Sequence, residues 1–203
     1  MIEEKINLPY DLAALRADVV NMKANYPIIS QSVNFGGWSI TSSDGDYRDG
    51  WQQGHKVYEK NPDTPKEQLT AEFKKIGMKD LNSYCIKTIV CTPAFSSLVD
   101  TLEANGFYPR RCRVIELKAG GFSSWHRDAA DDQYAVRLHI PIITNPGCLF
   151  KTETEEVHLP ADGSCYLIKV NRMHQVVNTG AQDRYHFVCN VSDTKGLSTF
   201  HRV

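Results

Sequence analysis

In the stretch SSWHRDAADD, His126 and Asp128 are separated by a single residue. On an extended chain that spacing points both side chains the same way, so an imidazole and a carboxylate can face one cation. The pair alone decides nothing. With 7 histidines and 24 acidic residues in 203 positions, chance supplies roughly one His-x-Asp/Glu pair. A non-haem Fe(II) site needs a second histidine from a separate strand, which completes a face of two histidines and one carboxylate and leaves positions open for substrate and oxygen. Downstream, His139 and His186 lie inside apolar runs, and His158 and His201 have no useful context. His174 opens HQVVNTGAQDRYHF after a strand-like CYLIKV and a polar turn, and is the best candidate for the third ligand.

An iron that handles O2 needs an electron source, and the commonest partner of this ligand set is 2-oxoglutarate. Its distal carboxylate is best held by a bidentate guanidinium on a neighbouring strand. Arg184 lies ten residues after His174, across a turn built from Asn178, Thr179, Gly180 and Ala181. An arginine falls at any given spot about one time in twenty, so this coincidence weighs more than the first. A hairpin would bring His174 and Arg184 into one cavity; the alternative is a surface arginine.

The elements that must position these residues are β-strands. From about residue 110 the chain runs through short β-rich segments separated by turn residues: RCRVIELK, AVRLHIPII, CLFKT, EEVHLP, GSCYLIKV, HQVVN and RYHFVCNVS. Regular short strands of this kind indicate an antiparallel sandwich or barrel. Upstream, Leu12, Leu15, Val19 and Met22 are spaced as an amphipathic helix that Pro27 terminates. PKEQLTAEFKKIGM predicts a second helix, and TPAFSSLVDTLEANGF a third, with Thr92 as N-cap, Pro93 at the first position and Gly106 past the end. Between the first two, GGWSITSSDGDYRDG reads as a short strand and a glycine- and aspartate-rich turn. The expected fold is α+β, mainly β. It is a single domain over 1–203, with a helical and substrate-side part over about 1–108 and a double-stranded β-helix (a jelly roll, cupin-like) over about 109–195.

Composition narrows the setting. Lysines and arginines number 23 against 24 acidic residues, for a formal net charge of −1, so neither nucleic acid nor an acidic membrane is an expected partner. Arg110, Arg111 and Arg113 form the one basic cluster, read as a solvated strand edge or satisfied internal arginines. The 6 scattered cysteines contain no CxxC pair, and no stretch approaches a membrane span. A reducing, cytoplasmic location follows as the expectation, and the oligomeric state stays open.

Taken together, HRD (126–128), RLHIPI (137–142) and HQVVNTGAQDRYHFV (174–188) resemble the aspartyl/asparaginyl β-hydroxylase-like branch of the Fe(II)/2-oxoglutarate oxygenases. GGWSITSSDGDYRDG also looks like the N-terminal segment of the bacterial proline cis-4-hydroxylases in that branch, so the resemblance runs over roughly 36–193. It implies that His126, Asp128 and His174 ligate iron and that Arg184 binds the distal carboxylate of 2-oxoglutarate. It further implies that His139 approaches the oxoglutarate end nearer the metal and that Arg137 faces a co-substrate or substrate carboxylate. The other reading of the last two is a buried, hydrogen-bonded histidine and a cross-strand ion pair. Membrane-anchored animal members lack the carboxylate ligand and halogenases have a small residue there, so Asp128 points to hydroxylation of a free amino acid or close derivative, with succinate and CO2 as co-products.

For the substrate, Trp38 is expected to pack against its body and Trp125 lies beside the first ligand; the other reading, the commoner one for tryptophans, makes both plain core or rim residues. Asp131 and Asp132, with Arg137, are candidates for the charges of a free amino acid. Two alternatives remain: hydroxylation of an Asp, Asn or other residue within a peptide, and a cupin-like metal- or ligand-binding module without turnover.

Overall fold

The computed structural model describes residues 2–191 except 62, 65 and 130–134. Its elements in chain order are β1 (Ile2–Asn7), α1 (Leu12–Asn25), β2 (Ile29–Ser30), β3 (Phe35–Ser39), β4 (Thr41–Ser42), α2 (His55–Lys60), α3 (Thr70–Lys75), β5 (Ile86–Lys87), α4 (Pro93–Ala104), β6 (Arg110–Leu117), β7 (Val136–Ile143), β8 (Cys148–Lys151), β9 (Glu156–His158), β10 (Ser164–Lys169), β11 (Gln175–Asn178) and β12 (Arg184–Asn190). A seven-stranded sheet has the order β1-β10-β7-β12-β6-β3-β2, and a three-stranded sheet the order β11-β8-β9.

The chain alternates between these sheets. It leaves β6 in the large sheet, passes through Phe122 and His126, which bridge to Val177 and His174 beside β11, and returns as β7. β8 and β9 lie in the small sheet, β10 in the large, β11 in the small and β12 in the large. Repeated crossing of this kind makes a double-stranded β-helix, as the sequence predicts. Gly120, at φ +72°, turns the chain out of β6 in a conformation that a side chain disfavours.

Period-two alternation gives the large sheet two different faces. Leu138, Ile140 and Ile142 of β7, Cys165 and Leu167 of β10, and Tyr185, Phe187 and Cys189 of β12 join one core cluster with Leu15, Val19 and Met22 of α1 and Phe95, Leu98 and Leu102 of α4. Helices therefore cover that face. The intervening residues, among them Arg137, His139, Arg184 and Val188, line a cavity on the other side. α4 starts as the sequence predicts, Thr92 accepting from Phe95 N, with Gly106 at φ +83° beyond its end; α1 is capped by the Asp11 side chain, which accepts from Ala14 N at 3.0 Å.

The segment over about 1–108 carries strands as well as helices: β1 pairs with β10, and β3, in the stretch that reads as a short strand, pairs with β6 and carries β2 at the sheet's other edge. β1 escapes a hydropathy reading because IEEKIN is an edge strand with few apolar residues, held by ladder hydrogen bonds and not by an apolar run. The second helix is a 3-10 turn, Lys66–Leu69, followed by the short α3, which has no buried residue to anchor a longer one. Among the described residues, no helix is long and apolar enough to cross a membrane.

Candidate metal centre and its cavity

His126 and His174 face each other across the small sheet's margin, with backbone hydrogen bonds of 3.0 and 2.9 Å in both directions. Residues directly opposite in such a pair project their side chains to the same side, and the two rings sit 4.4 Å apart between centroids. Asp128 follows on the same segment, anchored by its own N–H donating to Val170 O at 2.8 Å. One potential ligand atom from each of His126, Asp128 and His174 lies within 4.8 Å of the others.

The histidine tautomers can be read from their partners. His126 Nδ1 lies 2.8 Å from Ser124 O, and His174 Nδ1 lies 2.9 Å from Arg172 O. A carbonyl oxygen only accepts, so each Nδ1 carries the proton and each Nε2 offers a lone pair. Burial pushes the His174 imidazolium down to about 4, which keeps the ring neutral and able to ligate. Burial pushes the Asp128 carboxyl upward, but Arg137, His126, His174 and His55 outweigh it and hold the group well below the usual carboxylate range. Arg137 Nη1 stands 2.7 Å from Asp128 Oδ2. That contact meets the distance of an ion pair but not the direction of a hydrogen bond, so Oδ2 is buried with no hydrogen-bonding donor. Two imidazoles that turn Nε2 away from their carbonyl partners, together with an ionised carboxylate, form a donor set that suits divalent iron.

The triad opens into a cavity of about 1350 Å3. Arg184 enters it from β12 and His139 from β7, 2 % and 6 % exposed. Arg184 Nε has no hydrogen-bond partner, nor does His139 Nδ1, whose ring meets Phe150 edge-on at 5.1 Å. Burial lowers Arg184 to about 10, and burial with the charge of Arg184 holds His139 well below its ordinary value. Arg137, the triad, Arg184 and His139 thus share one cavity. No hairpin unites His174 with Arg184: β11 pairs with β8, whereas β12 pairs with β6 and β7. The turn between them carries the chain from one sheet to the other, and the two side chains meet because the sheets face each other. Asn178 fixes that turn, its Nδ2 donating to Gln182 O at 2.8 Å and to Leu117 O and Lys118 O at 3.2 Å.

Trp38 is elsewhere. It is fully buried in the core between helices and sheet, stacked with Tyr185 at 6.4 Å and donating Nε1–H to Tyr26 O at 3.1 Å. The expectation that it packs against substrate is corrected, because β3 turns this side chain to the face opposite the cavity. Trp125 is 41 % exposed. Asp131 and Asp132 lie outside the described residues.

Three cavity residues escaped the sequence reading. His55, at the start of α2, lies 5.0 Å from the His126 ring; a six-residue helix has too little periodicity to announce it. Arg111 and Arg113 are each 3 % exposed. Their signal was present, two arginines two apart in a strand flanked by Cys112 and Val114, but a strand's apolar face cannot be assigned to core or cavity until its partners are known.

The sequence profile of the aspartyl/asparaginyl β-hydroxylases matches residues 45–194, which contain every cavity residue discussed above. The chain belongs to the aspartyl/asparaginyl β-hydroxylase family. No curated protein matches it by sequence. Among solved structures, it is similar to an oxidoreductase of the 2OG-Fe(II) oxygenase family from Burkholderia pseudomallei (16% identity, 98% of this chain and 88% of that one, TM-score 0.49). It is also similar to a prolyl-4-hydroxylase from Pseudomonas putida (14%, 92% and 89%, 0.46). A third is a prolyl hydroxylase in complex with a hypoxia inducible factor oxygen degradation domain peptide fragment from Trichoplax adhaerens (13%, 94% and 83%, 0.47).

Proposed function

We propose that this family member is an Fe(II)- and 2-oxoglutarate-dependent dioxygenase that hydroxylates an unactivated C–H bond of a free amino acid or close derivative. The observation that carries the reading is the convergence of His126, Asp128 and His174, with both imidazoles in the tautomer a ligand needs. These three side chains would hold the iron. When bound, the metal supplies the oxidation: one atom of O2 enters the substrate as hydroxyl and the other enters succinate, formed from 2-oxoglutarate with loss of CO2.

The chain's own residues do the positioning. Arg184 receives the distal carboxylate of 2-oxoglutarate, its buried guanidinium offering a geometry that lysine cannot match. His139, kept neutral by burial and by Arg184, lies on the neighbouring strand, from which it would approach the metal end of that co-substrate. Arg137 neutralises Asp128 and fixes its orientation. Side chains from both sheets line the cavity in which the reacting carbon would be oriented.

The test is anaerobic addition of Fe(II) and 2-oxoglutarate, which is expected to give a visible charge-transfer band, followed by a panel of amino acids with O2. Succinate release that depends on one amino acid, and a product heavier by one oxygen atom, support the reading. Absence of the band favours a binding module without turnover. A second reading, hydroxylation of a residue within a peptide, draws on the cavity volume of about 1350 Å3, above the roughly 300–1,000 Å3 of ordinary small-molecule sites. Turnover stimulated by peptides alone would establish it.

A further inference from the structure

The cavity wall holds more buried positive charge than the proposed chemistry uses. Arg184 and Arg137 have the roles given above, but Arg111 and Arg113 of β6 line the same cavity and are about as buried as Arg184. Among the described lining residues, Asp80 and Asp128 are the carboxylates, and Asp128 is engaged by Arg137. Lys56 and Lys74 add positive charge at the mouth. An uncompensated buried cation is costly, so such a cluster is retained where an anion completes it.

The two arginines differ in what they have left to offer. Arg111 sits at φ +54°, where the register of β6 against β12 shifts. Its Nε donates to Gly50 O at 2.7 Å and its Nη2 to Gln52 O at 2.8 Å, and its guanidinium lies 5.8 Å from the Tyr84 ring centroid. Arg113 makes one long hydrogen bond, Nη1 to the same Gly50 O at 3.4 Å, and rests 5.2 Å from the Trp51 ring centroid. Its Nε is buried with no partner. Two guanidinium groups therefore converge on a single carbonyl oxygen, one tethered and the other holding most of its donors in reserve. Gly50, at φ +88°, gives that carbonyl its position, and a Cβ there would lie 3.6 Å from Arg111 Cγ. Burial and the charges of Arg111 and Arg137 lower the Arg113 guanidinium well below its usual value, against a smaller opposing pull from Asp128.

We propose that Arg113, positioned by Arg111, Gly50 and Trp51, binds an oxyanion of the substrate, a carboxylate or a phosphate, and that the preferred substrate is net anionic. This rests on the dioxygenase reading above and narrows its substrate class. Arg113 is the contact. Arg111 acts through it, by holding the shared carbonyl and reinforcing the positive field.

The test uses full-length protein loaded anaerobically with Fe(II) and 2-oxoglutarate. Perturbation of the charge-transfer band is titrated with aspartate, N-acetylaspartate and phosphoserine, and with proline, leucine and leucinamide. At least one anionic probe is expected to bind tenfold or more tightly than the zwitterionic and cationic ones, and the ranking of carboxylate against phosphate identifies the oxyanion. Arg113→Gln is expected to erase the preference while keeping the band, which also shows that the variant has folded; Arg113→Lys is expected to keep part of it. Equal binding by all probes, no binding by any anionic probe, or a preference that survives Arg113→Gln overturns the proposal. If no band forms, the dioxygenase reading fails by itself. The same probes titrated by calorimetry into metal-free wild type and Arg113→Lys then decide the anion site: a preference for anions that weakens in the variant upholds it, and identical heats overturn it.

Discussion

His126 and His174 stand opposite one another on adjoining extended segments, each donating its backbone N–H to the other's carbonyl oxygen. Two potential ligands are thus registered by main-chain hydrogen bonds, and their ring nitrogens are oriented by carbonyls two residues back, at Ser124 and Arg172. Main-chain hydrogen bonds thus set the geometry of the pair.

Ligand removal is therefore expected to separate metal affinity from folding. His174→Ala keeps the backbone pair and is expected to weaken Fe(II) binding by roughly a hundredfold or more, with little change in the urea midpoint of the metal-free protein. Asp128→Ala also leaves the partly buried Arg137 without its counter-charge and is expected to cost about 2 kcal/mol of stability in addition. Metal titration and urea unfolding on the same samples distinguish the two.

Arg184→Lys keeps the charge but loses the planar fork. The 2-oxoglutarate concentration for half-maximal turnover is expected to rise at least about tenfold, the equivalent of one lost charge-assisted hydrogen bond. An unchanged value would remove Arg184 from the co-substrate site.

Trp38 gives a contrasting case. Trp38→Ala opens a hole in the helix-covered core and is expected to lower stability by about 3–5 kcal/mol. Trp38→Phe, milder, is expected to leave the iron–oxoglutarate band and the substrate panel as in wild type. A change of substrate preference in Trp38→Phe would return this residue to the cavity.

Acid is expected to destabilise the metal-free protein through His139 and His186. Burial and Arg184 hold both well below the ordinary 6.5. The unfolded chain then binds protons that the folded one refuses, so their contribution to stability is complete above pH 6.5 and lost as pH falls below it. Once pH is about a unit lower, each group adds a slope of about 1.4 kcal/mol per pH unit. Urea unfolding at a series of pH values should show this, and His186→Phe should remove one group's share.

Much of this was legible beforehand because local chemistry fixed it. Thr92, Pro93 and Gly106 delimit α4, and the alternation in RLHIPI sends Arg137 and His139 to one face. Illegible were the relations that depend on which strands pair. β11 and β12 look like a hairpin in sequence, yet they belong to different sheets. Trp38 and Arg113 lie on directly paired strands, and only the assembled sheet assigns the tryptophan to the core and the arginine to the cavity.

β1 covers the outer side of β10, clasped by Lys5 to Asp162 at 2.9 Å. Without it, β10 would present a row of open main-chain donors and acceptors, the template on which chains associate edge to edge. Deleting residues 2–7 is therefore expected to leave the catalytic cavity assembled and to drive the protein into concentration-dependent oligomers, visible by light scattering.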